Sequence, residues 1–486
     1  MSEFSKKLSY YIIKSGYNVY QLAKEASLDR TTLQKTVKGQ RLPSFDYIKN
    51  ICHYIKISKT QEEELFRLYQ IEKLGRGVVE SWDEINKILV DIQQLREKKQ
   101  SHNFLNIHFD RQCFKSFNEK AAQIYSSETE TVRVIMCMIE QEIMEENTPE
   151  VYMDASWATP YVLSQLVQSE NIEEKPLVCH QLVNLRSSEA AKEGVAENFR
   201  ILHQVLPYAF VFHKEYDIRY AYVTGSLEDQ RYYLWPHYIV THRHIFLCSE
   251  DRYRAILITN EQTAQCYRRE LEKMRKSYRP LLNYQGMSGE GIRQYRKMSE
   301  HCDLHVTYEE CPCVALLVPE EGQEILKQDP RIGKYAEAYF EQPKVTASQY
   351  INIFGMRGMK EFIQTGHLPG VFDDYFHVDA IEARRAMIEN FHQHLLTQTR
   401  RFYMINEEKF TECGGYGIDL FGKNKLMFYS TSTEFPFGFL TIDEPGICEV
   451  FYSYFENLLE SECLYSLEET IARYEEMVEE AFTAIE

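Results

Sequence analysis

The sequence contains no run of about 18 apolar residues, so it predicts no transmembrane helix. Residues 2–7, SEFSKK, lead into an amphipathic pattern, which is not the pattern of a secretory signal peptide. The 12 cysteines are scattered, mostly singly and inside apolar runs, and indicate no disulfide framework. These absences favour a soluble protein of the reducing cytoplasm.

The motifs of common catalytic sites are also missing. The chain has no Walker lysine motif, no G-x-S-x-G and no HExxH. Gly414, Gly415 and Gly417 are followed by a strand pattern, whereas a phosphate-binding loop needs a helix N-terminus after its glycines. We therefore interpret this segment as a turn, and we expect neither enzymatic activity nor a cofactor.

One short segment has metal-ligating side chains. His301, Cys302 and His305 are followed by the C-x-C pair Cys311 and Cys313. Thiolates and imidazoles at such spacings could form a tetrahedral zinc site. The C-x-C pair, however, precedes a predicted strand over residues 314–318 and chelates less well than C-x-x-C, so buried thiols beside a polar surface are the preferred interpretation. The weak candidate ligands are His301, Cys302, His305, Cys311 and Cys313.

Charge is distributed very unevenly along the chain. Residues 1–60 contain 11 Lys/Arg and 4 Asp/Glu, a formal charge of +7. The remaining residues contain 44 Lys/Arg and 69 Asp/Glu, a formal charge of −25. The basic N-terminal part can neutralise phosphates, whereas the acidic body would repel them.

Within the basic part, residues 18–44 read NVYQLAKEASLDRTTLQKTVKGQRLPS and predict two short helices joined by a tight turn. Asp29 is a natural N-cap for the second helix, which places Leu33 and Val37 inward. Gly39 is the expected C-cap, and Pro43 lies where a helix cannot continue. The outer face of the second helix is cationic or hydrogen-bonding throughout, as major-groove reading requires.

This stretch resembles the helix-turn-helix of the Cro/phage-repressor type, the XRE family, over residues 8–57. The matching features are the Leu22-Ala23 pair, the Ala26-Ser27-Leu28 turn, the helix start Arg30-Thr31-Thr32-Leu33, and residues 38–44, KGQRLPS. Two positions depart from the family: Ser27 replaces the usual turn glycine, and Val37 replaces a frequent glutamate. Ser27 would be strained if its φ were positive.

The resemblance implies a λ-repressor-like all-α domain that binds an operator in double-stranded DNA as a homodimer. It also implies a role for each side chain of the second helix and its surroundings. The candidate base readers are Arg30, Thr31, Gln34 and Lys35. The candidates for phosphate contact or positioning are Asn18, Tyr20, Gln21, Thr32, Lys38 and Arg41.

The rest of the chain predicts a multidomain arrangement. We expect a DNA-binding domain at 1–75, a helical connector at 76–101 that either dimerises or packs on the next domain, and α/β lobes with mixed sheets at 102–280 and 281–486. Apolar runs predict strands at 132–139, 151–154, 177–185 and 208–213. Helical patterns occur at 118–125, 159–168 and 188–206, and residues 276–297 read as an exposed helical connector.

The two lobes share a weak internal repeat. Strand patterns at 238–241, 244–248 and 255–259 precede a helix, and so do those at 416–421, 425–430 and 438–442. Two related lobes are the resulting hypothesis. A body of this kind would be compatible with a phospholipase D-like fold, but the H-x-K-x4-D signature of that family is absent.

The sequence thus predicts a transcriptional regulator whose acidic body senses an unknown small-molecule or peptide effector. Two alternatives stay open: a DNA-tethered enzyme with a divergent hydrolase-like body, and a repressor whose body binds a protein or peptide partner. A helical-repeat body is disfavoured, because no 34-residue period is present and strand patterns follow residue 130.

Overall fold

The computed structural model describes two compact units. The first comprises Met1–Glu84 with Arg186–Glu197, and the second comprises Ile85–Leu185 with Asn198–Glu486. The described residues are 1–100, 121–168, 177–187, 194–212, 215–223, 234–286, 289–300, 302–312, 314–328, 333, 336, 340, 350–368, 377–397, 401–410, 414–430 and 438–485.

The first unit is helical, as predicted. Its helices are α1 (Glu3–Lys14), α2 (Val19–Glu25), α3 (Arg30–Val37), α4 (Phe45–Ile55), α5 (Lys59–Leu74) and the beginning of α6 (Arg76–Gln100).

Side-chain caps mark the starts of helices α1, α2, α3 and α5, and each of these helices buries one stripe of apolar side chains. The Ser2 hydroxyl accepts the Ser5 amide at the start of α1, and Ser58 and Gln61 form a capping box at the start of α5. The stripes meet in a single core, in which Leu8, Leu22 and Leu33 are fully buried. This packing leaves the opposite faces of α2 and α3 exposed.

The second unit contains a mixed sheet built from residues 122–280. In the described part of the chain its strands are β1 (Ala122–Tyr125), β2 (Glu150–Met153), β3 (Val178–Arg186), β4 (Tyr216–Val223), β5 (His237–Val240), β6 (His244–Cys248), β7 (Ala255–Thr259) and β8 (Arg279–Pro280). The helices between and after them are α7 (Glu128–Glu145), α8 (Thr159–Gln168), α9 (Val195–Val211) and α10 (Glu261–Ser277).

A second mixed sheet follows. Its described strands are β9 (Asn283–Gly286), β10 (His305–Glu309), β11 (Tyr350–Phe354), β12 (Arg401–Met404), β13 (Tyr416–Phe421), β14 (Lys425–Ser430) and β15 (Gly438–Ile442). Its helices are α11 (Gly289–Glu300), α12 (Val314–Leu317), α13 (Glu320–Gln328), α14 (Met356–Thr365), α15 (Ile381–Thr397), α16 (Pro445–Leu459) and α17 (Leu467–Thr483).

Seven strands of the first sheet follow the same order as the seven described strands of the second, and β8 has no counterpart. The first has the order β1-β7-β6-β5-β2-β3-β4-β8, and the second, read in the same direction, has β9-β15-β14-β13-β10-β11-β12. In each sheet an antiparallel meander of three strands lies beside a parallel pair, β2 with β3 and β10 with β11. The predicted strand triplets are therefore present, and a helix follows each of them.

Several predicted elements of the body are wrong. Residues 132–139 lie within helix α7 rather than in a strand, and the segment 314–318 begins with the short helix α12. The predicted strand at 208–213 instead includes the end of α9, which continues through Pro207.

The opposite error occurs twice. The predicted helix at 118–125 contains strand β1, which pairs with β7, while residues 118–120 lie outside the described residues. The predicted connector at 276–297 contains strands β8 and β9 before α11. Within the described residues, no helix is long and apolar enough to cross a membrane.

Candidate nucleic-acid interface

The surface that the sequence singles out is carried by α2 and α3. Asn18 and Gln21 form a capping box at the start of α2, in which the Gln21 amide donates to Asn18 Oδ1 at 2.9 Å. At the start of α3 the Thr32 amide donates to Asp29 Oδ1 at 2.6 Å. These bonds fix where each helix begins.

The turn between the helices is tight and strained. Ser27 has a φ of +54°, a left-handed conformation that glycine adopts more easily. The Leu28 amide donates back to the Ala23 carbonyl at 2.8 Å, which closes the turn. After α3, Gly39 has a φ of +70°, and an added Cβ there would approach Ser5 Oγ to 2.9 Å.

Packing of Leu33 and Thr36 into the core orients the rest of α3 outward. All four candidate base readers are exposed, and among the positioning candidates only Thr32 is half-buried. Val37 is half-buried and packs on the core, as its inward position predicts. The structure does not test the roles in DNA contact, which remain predictions.

Two contacts hold cations of this surface in place. The guanidinium of Arg30 lies 5.2 Å from the ring centroid of Tyr20, so a residue of α2 supports the first residue of α3. Arg41 Nη1 donates to Thr32 Oγ1 at 3.3 Å, which brings the exit segment against α3.

Sequence reasoning missed one residue of this framework. The Tyr47 hydroxyl, on α4, donates to the Asp29 carbonyl at 3.1 Å and so connects α4 to the start of α3. Its partner lies 18 residues away in the sequence, and no local pattern indicates the contact. Hydrogen bonds from Thr32 hold the pKa of Asp29 below its usual value.

Negative charge on this surface is limited. Residues 18–44 contain five Lys/Arg and two Asp/Glu, Glu25 and Asp29. Glu25 accepts a hydrogen bond from the Tyr17 hydroxyl at 2.9 Å, and Asp29 caps α3. The arrangement can therefore attract a polyanion while presenting amide and hydroxyl groups for hydrogen bonding.

The weak zinc candidate does not assemble from its described members. Cys302 packs with the cluster around Phe421, whereas Cys311 lies in the separate core around Phe354. Among the described residues, no three His, Cys, Asp or Glu side chains are placed to hold a metal ion. His301 and Cys313 lie outside the described residues.

No protein-family model matches the chain, and no curated protein matches it. One similar solved structure is TrmBL2, described as an archaeal chromatin protein with a novel mode of DNA binding; the identity is 8%, the match covers 53% of this chain and 87% of that chain, and the TM-score is 0.23.

Another similar structure is the polyphosphate kinase from Porphyromonas gingivalis. The identity is 11%, the match covers 78% of this chain and 59% of that chain, and the TM-score is 0.21. Because both TM-scores are below 0.5, neither similarity supports an inference about fold or function.

Proposed function

We propose that the protein is a DNA-binding transcriptional regulator rather than an enzyme, and that α2 and α3 form a helix-turn-helix of the Cro/phage-repressor type. The observation that carries the proposal is the exposed face of α3, on which Arg30, Thr31, Gln34 and Lys35 follow one another while the opposite side is buried. Such a face suits the donor and acceptor pattern of the major groove.

Arg30 and Lys35 suit the O6 and N7 acceptors of guanine, and Lys38 and Arg41 at the helix exit suit phosphates. A single eight-residue helix reads only a few base pairs. The proposed regulator therefore acts as a homodimer on two half-sites about one helical turn apart. Its proposed location is the cytoplasm.

The proposed role of the acidic body is to bind an effector and to dimerise. Helix α6 connects the basic part to this body, because its residues 76–84 belong to the first unit and its residues from Ile85 onward belong to the second. Within the body, Leu89 accepts a hydrogen bond from Tyr416, Asn86 from Tyr454, and Asp91 pairs with His203.

The test compares two kinds of variant on a selected operator and on random duplex DNA. Arg30→Ala or Lys35→Ala should lose about 1–3 kcal/mol of discrimination between the two duplexes. Lys38→Ala should weaken binding to both duplexes alike and reduce the salt slope by about one.

Lys59→Ala is the matched control, because Lys59 is an exposed lysine of the same unit outside the α2–α3 surface. It should leave discrimination unchanged. Equal loss on both duplexes for Arg30→Ala would refute its role as a base reader, and a chain that binds neither duplex would refute the proposed function.

A further inference from the structure

The acidic body contains a strongly basic stretch. Residues 268–279, RRELEKMRKSYR, include six Lys/Arg and two Asp/Glu, a formal charge of +4, although the chain beyond residue 60 carries −25. Ten of these twelve residues form the second half of helix α10 (Glu261–Ser277). The structure shows which of their charges are used within the fold and which face solvent.

The inner side of α10 is held by ion pairs more than by apolar packing, because only two of its 17 residues are buried. Arg268 pairs with Glu150 of β2. Arg275 Nη1 donates to Asp217 Oδ2 of β4 at 2.6 Å, and Arg275 Nε donates to Glu272 Oε2 at 2.6 Å. These two arginines are therefore neutralised by carboxylates and fix the helix on the sheet.

The remaining cations of α10 form one outward stripe. Arg269, Lys273 and Lys276 are all exposed, and they follow the exposed Cys266 at positions i+3, i+7 and i+10. Residues at these spacings share one face of an α-helix. We call Arg269, Lys273 and Lys276 the basic ridge.

Acidic neighbours neutralise the basic ridge only in part. Lys273 Nζ lies 2.7 Å from a Glu270 oxygen, and Lys276 Nζ lies 3.5 Å from a Glu272 oxygen. The two lysine side chains nevertheless remain 71% and 72% exposed, and ion pairs this exposed are weak. Arg269 Nε donates to a backbone carbonyl of its own helix at 3.4 Å. The ridge therefore presents a net positive charge to solvent.

The equivalent helix beside the second sheet has the opposite character. Helix α16 follows the meander β13–β15, just as α10 follows β5–β7. Seven of the 15 residues of α16 are buried, and it contains no Lys or Arg. This position in the fold thus does not require a cationic helix, and the basic ridge indicates an anionic partner.

A nucleic-acid backbone fits the ridge better than a protein surface does. Tyr267 and Met274 are the large apolar side chains that α10 exposes, at 43% and 42%. Protein–protein interfaces have a core depleted of charge, whereas protein–DNA interfaces are more polar and strongly positive. The three cations of the ridge span about 10 Å of helix, a length over which one DNA strand carries about three phosphates.

We propose that the basic ridge of α10 contacts the phosphate backbone of the DNA that the first unit binds, as a second contact that does not read sequence. This inference rests on the proposed function, which brings the acidic body close to DNA. The net charge of the body opposes that approach. A cationic face lowers the repulsion locally, because salt screens charges that are more than about 8 Å away.

The first test measures how binding of the full-length chain depends on salt, with a selected operator and with random duplex DNA. The ridge variant combines Arg269→Gln, Lys273→Gln and Lys276→Gln. It should reduce the magnitude of the slope of log affinity against log salt by about 2–3 on both duplexes, because each phosphate contact contributes about 0.9. Discrimination between the duplexes should not change, since backbone contacts carry no sequence information.

A matched control removes the same charge from exposed positions elsewhere in the body. It combines Arg254→Gln, Lys423→Gln and Arg473→Gln. The control should keep the wild-type salt slope, because its effect on the net charge is the same but it leaves the ridge intact.

Cys266 provides a second readout, which needs no variant. It is exposed on the same face as the ridge, so duplex DNA at low salt should slow its alkylation by iodoacetamide several-fold. Mass spectrometry of the peptide that contains Cys266 measures the rate. The half-buried Cys463 is the internal reference, and its alkylation rate should not change.

The inference is overturned if the ridge variant keeps the salt slope of the control, or if duplex DNA leaves the alkylation of Cys266 unchanged. Protection of Cys266 by poly-glutamate but not by DNA would also overturn it and would assign the ridge to an acidic protein. These results leave sequence discrimination by the wild type, and with it the proposed regulator, intact. Conversely, a wild type that binds both duplexes equally, with a salt slope that the ridge variant reduces, would support the ridge and refute the regulator.

Discussion

Ser27 holds the turn between α2 and α3 in a left-handed conformation, with a φ of +54°. Crowding of its Cβ in this conformation costs about 1–2 kcal/mol, which glycine avoids. Part of this gain is lost, because a glycine at this position gives the unfolded chain more conformational freedom. The net balance contributes to the stability of the first unit, since the turn positions two helices that share its core.

Ser27→Gly should therefore raise the free energy of unfolding of the first unit by about 0.5–1 kcal/mol. Urea denaturation followed by circular dichroism measures it. Ser44→Gly is the matched control, because Ser44 has a φ of −67° and gains nothing from glycine. A Ser27→Gly variant less stable than the Ser44→Gly control would contradict the strain.

The raised pKa of Glu309 leads to a second prediction, which concerns the pH dependence of stability. Its pKa is raised from 4.5 to about 8 by burial and by the charge of Asp419. The folded chain therefore binds the proton more tightly than the unfolded chain does. The contribution to stability is complete below pH 4.5 and is lost as the pH rises toward about 8.

Glu309→Gln removes this titration while keeping a neutral, hydrogen-bonding side chain. The variant should gain stability relative to the wild type as the pH rises from 4.5 to 8, with little difference at the lower end. Denaturant unfolding at a series of pH values measures the difference. A difference that does not change with pH would contradict the raised pKa.

Among the elements, helix α7 shows why a sequence pattern can mistake a buried helix for a strand. Residues 134–139 of α7 are all buried, so the helix lacks the polar stripe that would reveal its period. A continuous apolar run is then indistinguishable from a buried strand by periodicity. The signal that could have identified the helix is Ser127, five residues before the apolar run begins at Val132, because its hydroxyl accepts the Glu130 amide and so caps the helix.

Other elements could be predicted because their signals are local. The cap at Asp29 and the inward position of Leu33 lie within one short stretch, and the meander strands are bounded by turns. The buried polar neighbours of Thr307 on β10 could not be predicted, because Asn352 and Asp419 belong to strands far away in the sequence. Strand register, unlike a helix cap, cannot be inferred from residues that are adjacent in the sequence.

The last turn of helix α14 contacts a buried arginine of α15, Arg384, which no sequence pattern indicates. Arg384 is 7% exposed, and its guanidinium donates only to backbone carbonyls among its described hydrogen bonds, including those of the last turn of α14. Its distances to the acceptors are 2.6–3.2 Å. The acceptors are the carbonyls of Ile363, Gln364, Thr365, Val378 and Asp379.

Arg384→Met should therefore destabilise the body by about 3 kcal/mol, because it removes the donor from the buried carbonyls of Ile363 and Val378 and from three partly buried carbonyls. Arg385→Met, at the exposed neighbouring residue that stacks on Phe482, should cost much less. Thermal unfolding of both variants measures the contrast. Equal losses would show that the carbonyl contacts of Arg384 are not the cause.

At the scale of the whole molecule, charge separates the basic N-terminal part from the acidic remainder, +7 against −25. Phosphate neutralisation by Lys/Arg makes DNA affinity fall steeply with salt, whereas an acidic body lowers affinity for any polyanion that approaches it. We therefore propose that sequence-specific DNA binding is confined to the basic N-terminal part and that the acidic body binds the effector.

The most direct test of the account is selection of bound sequences from a pool of random duplex DNA by the full-length chain, followed by the salt dependence of binding to the selected duplex. We expect enrichment of two half-sites with centres about 10 base pairs apart, and affinity that falls steeply with salt. Arg30→Ala should lose the enrichment while retaining salt-dependent binding. A wild-type chain that enriches no sequence, or an Arg30→Ala variant that enriches the same sequence equally well, would contradict the central claim.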